Sequence, residues 1–341
     1  MESSKKSRIN GSRPTLKDIA DEVGVTITTA SYVLNGARSG TRVSDQTRAA
    51  LLETAKRFGY RPNRVARSLV RQKSGVIAMY SSYEQINAKN YFFAEIMAGL
   101  QVGCAKAGVD LLIHTAPPGT DNDTIAASLL DGRADGVIVH AATNHHLPHL
   151  IAESGVPAVA IADRVEFMPS VVVDDEQGGR LQARHLYERG HRRILYRPAF
   201  KPFASAVIRE TVFREEARKL GMQVVDGQAS IPNQWSGLMD AERALLMGPN
   251  RPTAIVCWED IAADHSLVDL EEMGLRIPAE VAVIGFNGFS DFDRRRRLST
   301  IDARWASAAE LAVGILMRKI DGQDVPSETM LPVELVEGAS T

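Results

Sequence analysis

From Gly75 onward, short apolar runs alternate with helix-patterned stretches, and this alternation restricts the fold more than any other feature of the chain. Residues 75–80, Gly-Val-Ile-Ala-Met-Tyr, read as a buried strand. A strand covered by helices on both faces is apolar throughout, not alternating. A helix is expected over 92–107, a strand over 109–114, a helix over 123–130 and a strand over 136–140. The series continues with a helix at 147–153, a strand at 156–161, a helix at 178–189 and a strand at 193–196. Helices at 206–220, 238–247 and 261–272 then interleave with strands at 223–225, 254–258 and 281–286. Strands alternating with helices form a doubly wound parallel sheet. About ten strands overfill one small sheet, so the expectation is two similar α/β subdomains. A length of 341 residues leaves room for a further unit.

That unit precedes residue 75. Thr15, with Asp18 three residues on, has the form of a capping box behind Pro14. Leu16, Ile19, Ala20 and Val23 follow at helical spacing, and Gly24 ends the helix. Thr26 opens a second helix with Thr29, Ala30, Val33 and Leu34 inward, stopped by Asn35-Gly36. Ser44 caps a third over Asp45 to Phe58, whose Leu51, Leu52, Ala55 and Phe58 complete a small core. Two short helices around a tight, glycine-containing turn make a helix-turn-helix. Any small helical bundle shares this spacing, but the next segment discriminates. In Tyr60–Leu69 and just beyond it, Arg64, Arg67 and Arg71 recur every three to four residues behind Pro62. So short and charged a helix forms only against a polyanion.

Charge supports that reading once it is divided. The whole chain is nearly neutral at −2, with 24% charged and 44% hydrophobic residues, an ordinary globular composition. Residues 1–73 hold 15 Lys/Arg against 6 Asp/Glu, a net +9; the rest holds 25 against 36, a net −11. A basic head on an acidic body is the footprint of a nucleic-acid-binding module joined to something else.

The motifs TLKDIADEVGVTITTASYVLNG and VSDQTRAALLETAKRFGYRPNRVARSL resemble the lactose-repressor/galactose-repressor family of bacterial transcription regulators. Later landmarks extend the resemblance along nearly the whole chain: Val156–Val159, Val171–Gly179, Gly190–Ile194, Ile284–Phe286 and Leu298–Asp302. The resemblance implies a basic arm at 1–13, a helix-turn-helix domain at 14–60 and a hinge helix at 61–73. It also implies a body like periplasmic sugar-binding proteins, with lobes at 74–162 plus 297–323 and at 163–296 plus 324–341. Three crossovers are expected, near Ala162, Arg296 and Gln323. By position, Ile27, Thr28 and Tyr32 fall on base-reading sites, and Thr26, Thr29, Ser31 and Asn35 on phosphate contacts. Ile27 reaches only a thymine methyl or the groove wall, and Tyr32 replaces a more usual arginine, so the family half-site does not transfer. Ala30 and Val33 belong to the core instead. Asn63, Val65, Ala66 and Leu69 match the hinge, with Leu69 as the minor-groove wedge or else a linker residue packed on the body.

For the body, the resemblance implies a small-molecule effector between the lobes, a sugar or sugar derivative among the candidates. Arg209 matches the arginine that binds effector hydroxyls or carboxylate, against a plain surface salt bridge. Trp235 matches a stacking aromatic, against a core tryptophan. Asn287 stands where an aspartate is usual, and Trp258-Glu259 replaces an Asn-Asp pair. Both changes depart from the sugar pattern and admit a more anionic ligand. Tyr83, Tyr91, Phe92, Asp163 and Arg164 are further cleft candidates. Homodimeric binding to a near-palindromic double-stranded operator is implied, with repression the expected sign.

Other chemistry is poorly supported. His140, His145, His146 and His149 lack a zinc spacing, Asp121 and Asp123 lack the rest of a calcium loop, and no metal or cofactor is expected. Arg294 to Arg297 reads as a solvated face or interlobe ion pairs. Cys104 and Cys257 offer no disulfide framework or zinc ribbon. There is no G-x-G-x-x-G, P-loop, G-x-S-x-G or H-E-x-x-H, which leaves an enzyme on this fold without a fingerprint. The residues before Pro14 lack a signal-peptide apolar region, and no run spans a membrane. This disfavours an extracytoplasmic solute-binding protein and points to the cytoplasm. No heptad follows Val336, so a coiled-coil tetramer is not expected.

Overall fold

The computed structural model describes residues 14–35, 42–61, 68, 73–81, 90–141, 146–200, 203–229, 237–289 and 298–341. The chain divides into two units, Met1–Gly75 and Val76–Thr341.

In the first unit, α1 (Leu16–Val23) begins at Thr15, whose hydroxyl accepts the Asp18 N–H at 3.3 Å while Asp18 Oδ2 accepts the Thr15 N–H at 2.7 Å. This is the reciprocal cap written in the sequence, and Gly24 closes the helix at φ 74°. α2 (Ile27–Asn35) starts behind Thr26, whose Oγ1 accepts the Thr29 N–H at 3.2 Å. α3 (Asp45–Phe58) is capped by Ser44. Ile19, Ala20, Ala30 and Leu51 are wholly buried where the three helices meet, with Val33 and Phe58 packed around them. Ala30 and Val33 are therefore core. Leu52, expected inside, is exposed; on α3 the inward positions are Leu51, Thr54 and Ala55. The arm at 1–13, Gly36 and most of the hinge, including Asn63, Val65, Ala66 and Leu69, lie outside the described residues.

The second unit contains two six-stranded sheets. The first half of the series is β1 (Val76–Ser81), α4 (Tyr91–Ala107), β2 (Asp110–Ile113), α5 (Asn122–Leu129), β3 (Gly136–His140), α6 (His146–Glu153), β4 (Ala158–Ile161) and β5 (Ser170–Val173). Next come α7 (Asp175–Glu188), β6 (Arg193–Arg197), α8 (Ala204–Lys219), β7 (Gln223–Asp226), α9 (Asp240–Met247), β8 (Ala254–Cys257), α10 (Asp260–Glu272) and β9 (Ala282–Asn287). The chain closes with β10 (Ser299–Asp302), α11 (Trp305–Ile320), β11 (Glu328–Leu331) and β12 (Glu334–Val336).

The first sheet runs β11-β5-β4-β3-β1-β2 and is parallel throughout. The second runs β12-β10-β9-β8-β6-β7, parallel except for β12, which is antiparallel to β10. Strands such as Val-Ile-Val-His in β3 and Ala-Val-Ile-Gly-Phe in β9 are buried on both faces. Burying each such Val or Ile favours the fold by about 1.5–3 kcal/mol.

The chain crosses between sheets three times, each about one strand later than expected. The crossings follow β5, β10 and β11, not Ala162, Arg296 and Gln323. β5 stays in the first sheet because its Ser-Val-Val-Val pairs with β4 and with β11, the Val171–Thr329 register lying far apart in sequence. β10 pairs with β9 and so remains in the second lobe. α11, absent from the expected series, lies along α4 and the strands β3, β4 and β5 of the first lobe, where Trp305, Ala308, Ala309, Ala312 and Leu316 are buried. Among the described residues no helix is long and apolar enough to cross a membrane.

Candidate functional site

In the head, the outward side of α2 carries the residues expected to meet DNA. Ile27 is 48% exposed at the start of the helix, and Leu52 of α3 is exposed as well. Thr26 and Thr28 are exposed, while Thr29, Ser31, Tyr32 and Asn35 are half-buried. The Thr26 and Thr29 hydroxyls lie 2.9 Å apart, and Asn35 Nδ2 donates to Ser31 Oγ at 3.4 Å. Arg48 of α3 sits 6.0 Å from the Tyr32 ring, close enough for a cation–π contact. The caps and core fix the backbone, so these side chains project from a rigid helix.

In the body, polar groups gather at the carboxyl ends of the strands of both sheets, where ligands of open α/β folds bind. The three non-glycine residues at positive φ among the described residues are Ala162 after β4, Asn287 ending β9 and Arg304 beside the second crossing. Such backbone strain, of order 1–3 kcal/mol each, clusters at functional sites.

Arg209 of α8 is 3% exposed. Its Nε donates to Asp175 Oδ1 at 2.5 Å, its Nη1 to the Trp258 carbonyl at 3.3 Å, and its guanidinium carbon lies 3.6 Å from the Phe286 ring centroid. This is a buried pair, not a surface salt bridge. The close approach that permits it is set by Gly179 of α7, where a Cβ would stand 2.7 Å from the Arg209 carbonyl oxygen. Burial pushes the Asp175 carboxyl up to about 6, and Arg209 partly opposes the rise. Trp258, just past β8, stacks on Phe203 with centroids 5.6 Å apart and planes 16° from parallel. Glu259 is half-buried at the N-cap of α10. Asn287 is 6% exposed, and its Oδ1 accepts the Trp305 Nε1–H at 3.0 Å, a hydrogen bond from the first lobe to the second.

In the first lobe, Asp163 is 2% exposed. Its Oδ1 accepts the Ser205 N–H at 2.9 Å. Phe203, the N-cap of α8, makes no side-chain cap, so a carboxylate of one lobe caps a helix of the other. His140, at the end of β3, places Nε2 3.9 Å from Asp163 Oδ2 and Nδ1 3.3 Å from Ser81 Oγ. Burial drives its pKa down to about 4, with Asp163 opposing, so the ring is neutral at pH 7. Phe92 packs edge-on against Trp305 at 5.0 Å and tilts on His140 at 5.1 Å, and Tyr91 meets Phe289 at 6.1 Å. Arg164 is engaged with Glu328 of β11, an ion pair within the first lobe. Tyr83, Trp235, His145 and Arg294 to Arg297 lie outside the described residues.

Sequence reasoning missed several members of this set. Trp305, Ser205 and Phe203 are not singled out by the sequence, Asp175 lies in the Val171–Gly179 landmark without a role of its own, and His140 stands out in the sequence only as a possible metal ligand. Asp260 was also missed. It is buried at the start of α10, accepts the Thr300 hydroxyl at 2.6 Å and the Phe289 N–H at 2.7 Å, and is pushed up to about 7 by desolvation. His149 stacks on Phe167 at 3.9 Å, and Asp121 caps α5. Among the described residues no group of three or more potential metal ligands forms. Cys104 and Cys257 are buried and unbridged.

Residues 15–63 match the lacI family of bacterial regulatory proteins, and residues 183–341 match the periplasmic binding protein-like domain, together more than half of the chain. The HTH-type transcriptional repressor PurR of Escherichia coli O139:H28 (strain E24377A / ETEC) is 27% identical over 352 residues, spanning 96% of both chains. The lac repressor dimer, solved bound to operator and the anti-inducer ONPF, superposes with a TM-score of 0.84 at 24% identity, over 96% of this chain and 99% of that one. The transcriptional regulator CelR, solved with cellobiose, gives a TM-score of 0.66 at 25% identity over 96% and 100%. Head, body and full-length relatives agree: the chain belongs to the lacI family of bacterial regulatory proteins, DNA-binding transcription regulators with a periplasmic-binding-protein-like body.

Proposed function

We propose that the chain is a ligand-responsive transcriptional repressor that binds a near-palindromic operator as a homodimer. The observation that carries this is the exposed Ile27 on a rigid, capped α2, beside Thr28 and Tyr32, in a segment of strongly positive charge. An outward isoleucine beside Thr28 and Tyr32 gives this helix an apolar contact for a groove wall or a thymine methyl. Thr26, Thr29, Ser31 and Asn35 hold phosphates around it, and Asn63, Val65, Ala66 and Leu69 serve the minor groove. The body supplies control. A molecule between the lobes acts on bonds that span them, among them Asp163 to Ser205 N–H and Trp305 to Asn287. It shifts the lobe arrangement only by the difference in its affinity for the two states. The change reaches the operator through residues 61–73.

The protein works in the cytoplasm, where its operator lies, and turns over no substrate. Support comes from relatives named as repressors and from the lack of a nucleophile or cofactor motif. Selection of bound sequences from a random duplex pool by the full chain tests the reading. Enrichment of a two-fold symmetric site, with affinity falling steeply as salt rises, is expected. A flat salt response, or no enriched sequence, refutes it.

A further inference from the structure

The polar groups at the carboxyl ends of the two sheets divide unevenly between donors and acceptors. Asp163 Oδ1 is occupied by the Ser205 N–H, Asp175 Oδ1 by Arg209 Nε, and Asn287 Oδ1 by Trp305 Nε1. Each of these three acceptors belongs to a side chain at least nine-tenths buried. The donors are not used up. Among the described residues, neither Asn287 Nδ2 nor Arg209 Nη2 has a protein partner. The two groups sit near each other in the topology: Arg209 is tied to the carbonyl of Trp258 just past β8, and Asn287 ends the adjacent strand β9. The acids do not make this region cation-seeking. Asp175 is neutralised by Arg209, and Asp163 faces the positive N-terminus of α8.

A ligand that displaces water from these donors must bring acceptors, because a buried donor left unpaired is costly. A hydroxyl accepts, but it also carries a proton that needs an acceptor of its own, and Asp163 Oδ1, Asp175 Oδ1 and Asn287 Oδ1 each already hold a donor. A carboxylate only accepts, and a guanidinium edge fits it well. We infer that this cleft selects a small organic acid, a carboxylate-bearing ligand, over the neutral polyol of the same size. The Trp258–Phe203 stack covers the ligand's apolar face. The residue that sets the preference is Trp305: its indole N–H, reaching from the other lobe, engages Asn287 Oδ1 and leaves Nδ2 as the group Asn287 offers a ligand. This inference rests on the cleft being the effector site, as proposed above.

Matched pairs differing in the oxidation of one carbon test it on the full chain by titration calorimetry. The probes are D-galactose with D-galacturonate, D-glucose with D-glucuronate and D-gluconate, and glucose 6-phosphate as an anion without a carboxylate. At least one acid is expected to bind ten-fold or more tightly than its neutral partner and than the phosphate ester. Trp305→Phe, which frees Asn287 Oδ1, is expected to narrow that ratio several-fold. Asn287→Asp is expected to abolish acid binding, with the thermal midpoint of each unliganded variant confirming the fold. A neutral sugar that binds as tightly as its acid overturns the inference while leaving the cleft reading intact, as does an acid-to-neutral ratio unchanged by Trp305→Phe. Preference for the phosphate ester overturns the carboxylate assignment. Silence across this panel and across nucleosides and amino acids overturns both the inference and the cleft reading.

Discussion

The Arg209–Asp175 pair makes the obvious test of the effector site misleading, and in a measurable way. The two side chains are 4% and 7% exposed. Replacing Arg209 by Met leaves a buried carboxylate without its partner, which costs about 3–5 kcal/mol. In a unit of this size each kcal/mol moves the midpoint by about 2–4 °C, so a fall of roughly 6–20 °C is expected. The loss depends on pH. Asp175 titrates at about 6 in the folded chain against an ordinary 3.8, so its ionisation opposes folding. The stability associated with this group is complete below pH 3.8 and is lost as pH rises through about 6. Arg209 holds that pKa down, so its removal raises it further. The variant at pH 5 then protonates Asp175 cheaply, and the deficit is small; at pH 8 it is full. Adding Asp175→Asn to the variant removes the stranded charge and is expected to restore at least half of the loss. Calorimetric melts of the wild type, both single variants and the double variant at pH 5 and pH 8 decide the matter. A deficit below about 1 kcal/mol, an equal deficit at both pH values, or a double variant weaker than Arg209→Met refutes the argument. Loss of effector response in an Arg209 truncation is informative only after this measurement.

Three further outcomes are expected. Thr15→Ala removes the hydroxyl arm of the α1 cap, leaving the backbone N–H to Asp18 bond, and lowers the stability of the head by about 0.5–2 kcal/mol in denaturant melts. Ile27→Ala, on an exposed position, changes that stability by less than about 0.5 kcal/mol, yet weakens operator binding by about 1–3 kcal/mol, the scale of a lost base contact; an unchanged operator affinity removes Ile27 from the groove. Asp260 is raised to about 7, so its contribution is complete below pH 3.8 and lost as pH rises through about 7; Asp260→Asn is expected to flatten the stability profile between pH 4 and pH 8, read from thermal midpoints.

The head was legible because its determinants are local. Thr15, Gly24 and Ser44 each act within a few residues of themselves, and α3 spans Asp45 to Phe58 as its pattern indicates. The early strands of the body were legible because a strand covered on both faces must be apolar throughout. The lobe boundaries were not, because a strand joins the sheet that holds its partner: β5 is assigned by β4 and by the distant β11. The same limit governs the cleft. Motif position found Arg209 and Asn287, but their partners lie 34 and 18 residues away, on other elements. No periodicity encodes such a pairing, so the donor character of Asn287 emerges only in three dimensions. Trp305 is not legible in the sequence because α11 follows the second crossing, beyond the strand at 281–286 where the regular strand–helix series ends.

The second crossing, which returns the chain to the first lobe, also sets the order in which the protein can be made. The head draws its core from residues 16–60 alone, whereas the first lobe waits for β11 at Glu328–Leu331 to seal its sheet. At a synthesis rate of about 5–20 residues per second, roughly 15–50 s separate the emergence of the two. During that interval a nascent chain carries a helix-turn-helix head with its core complete and a first lobe whose sheet is still open at one edge.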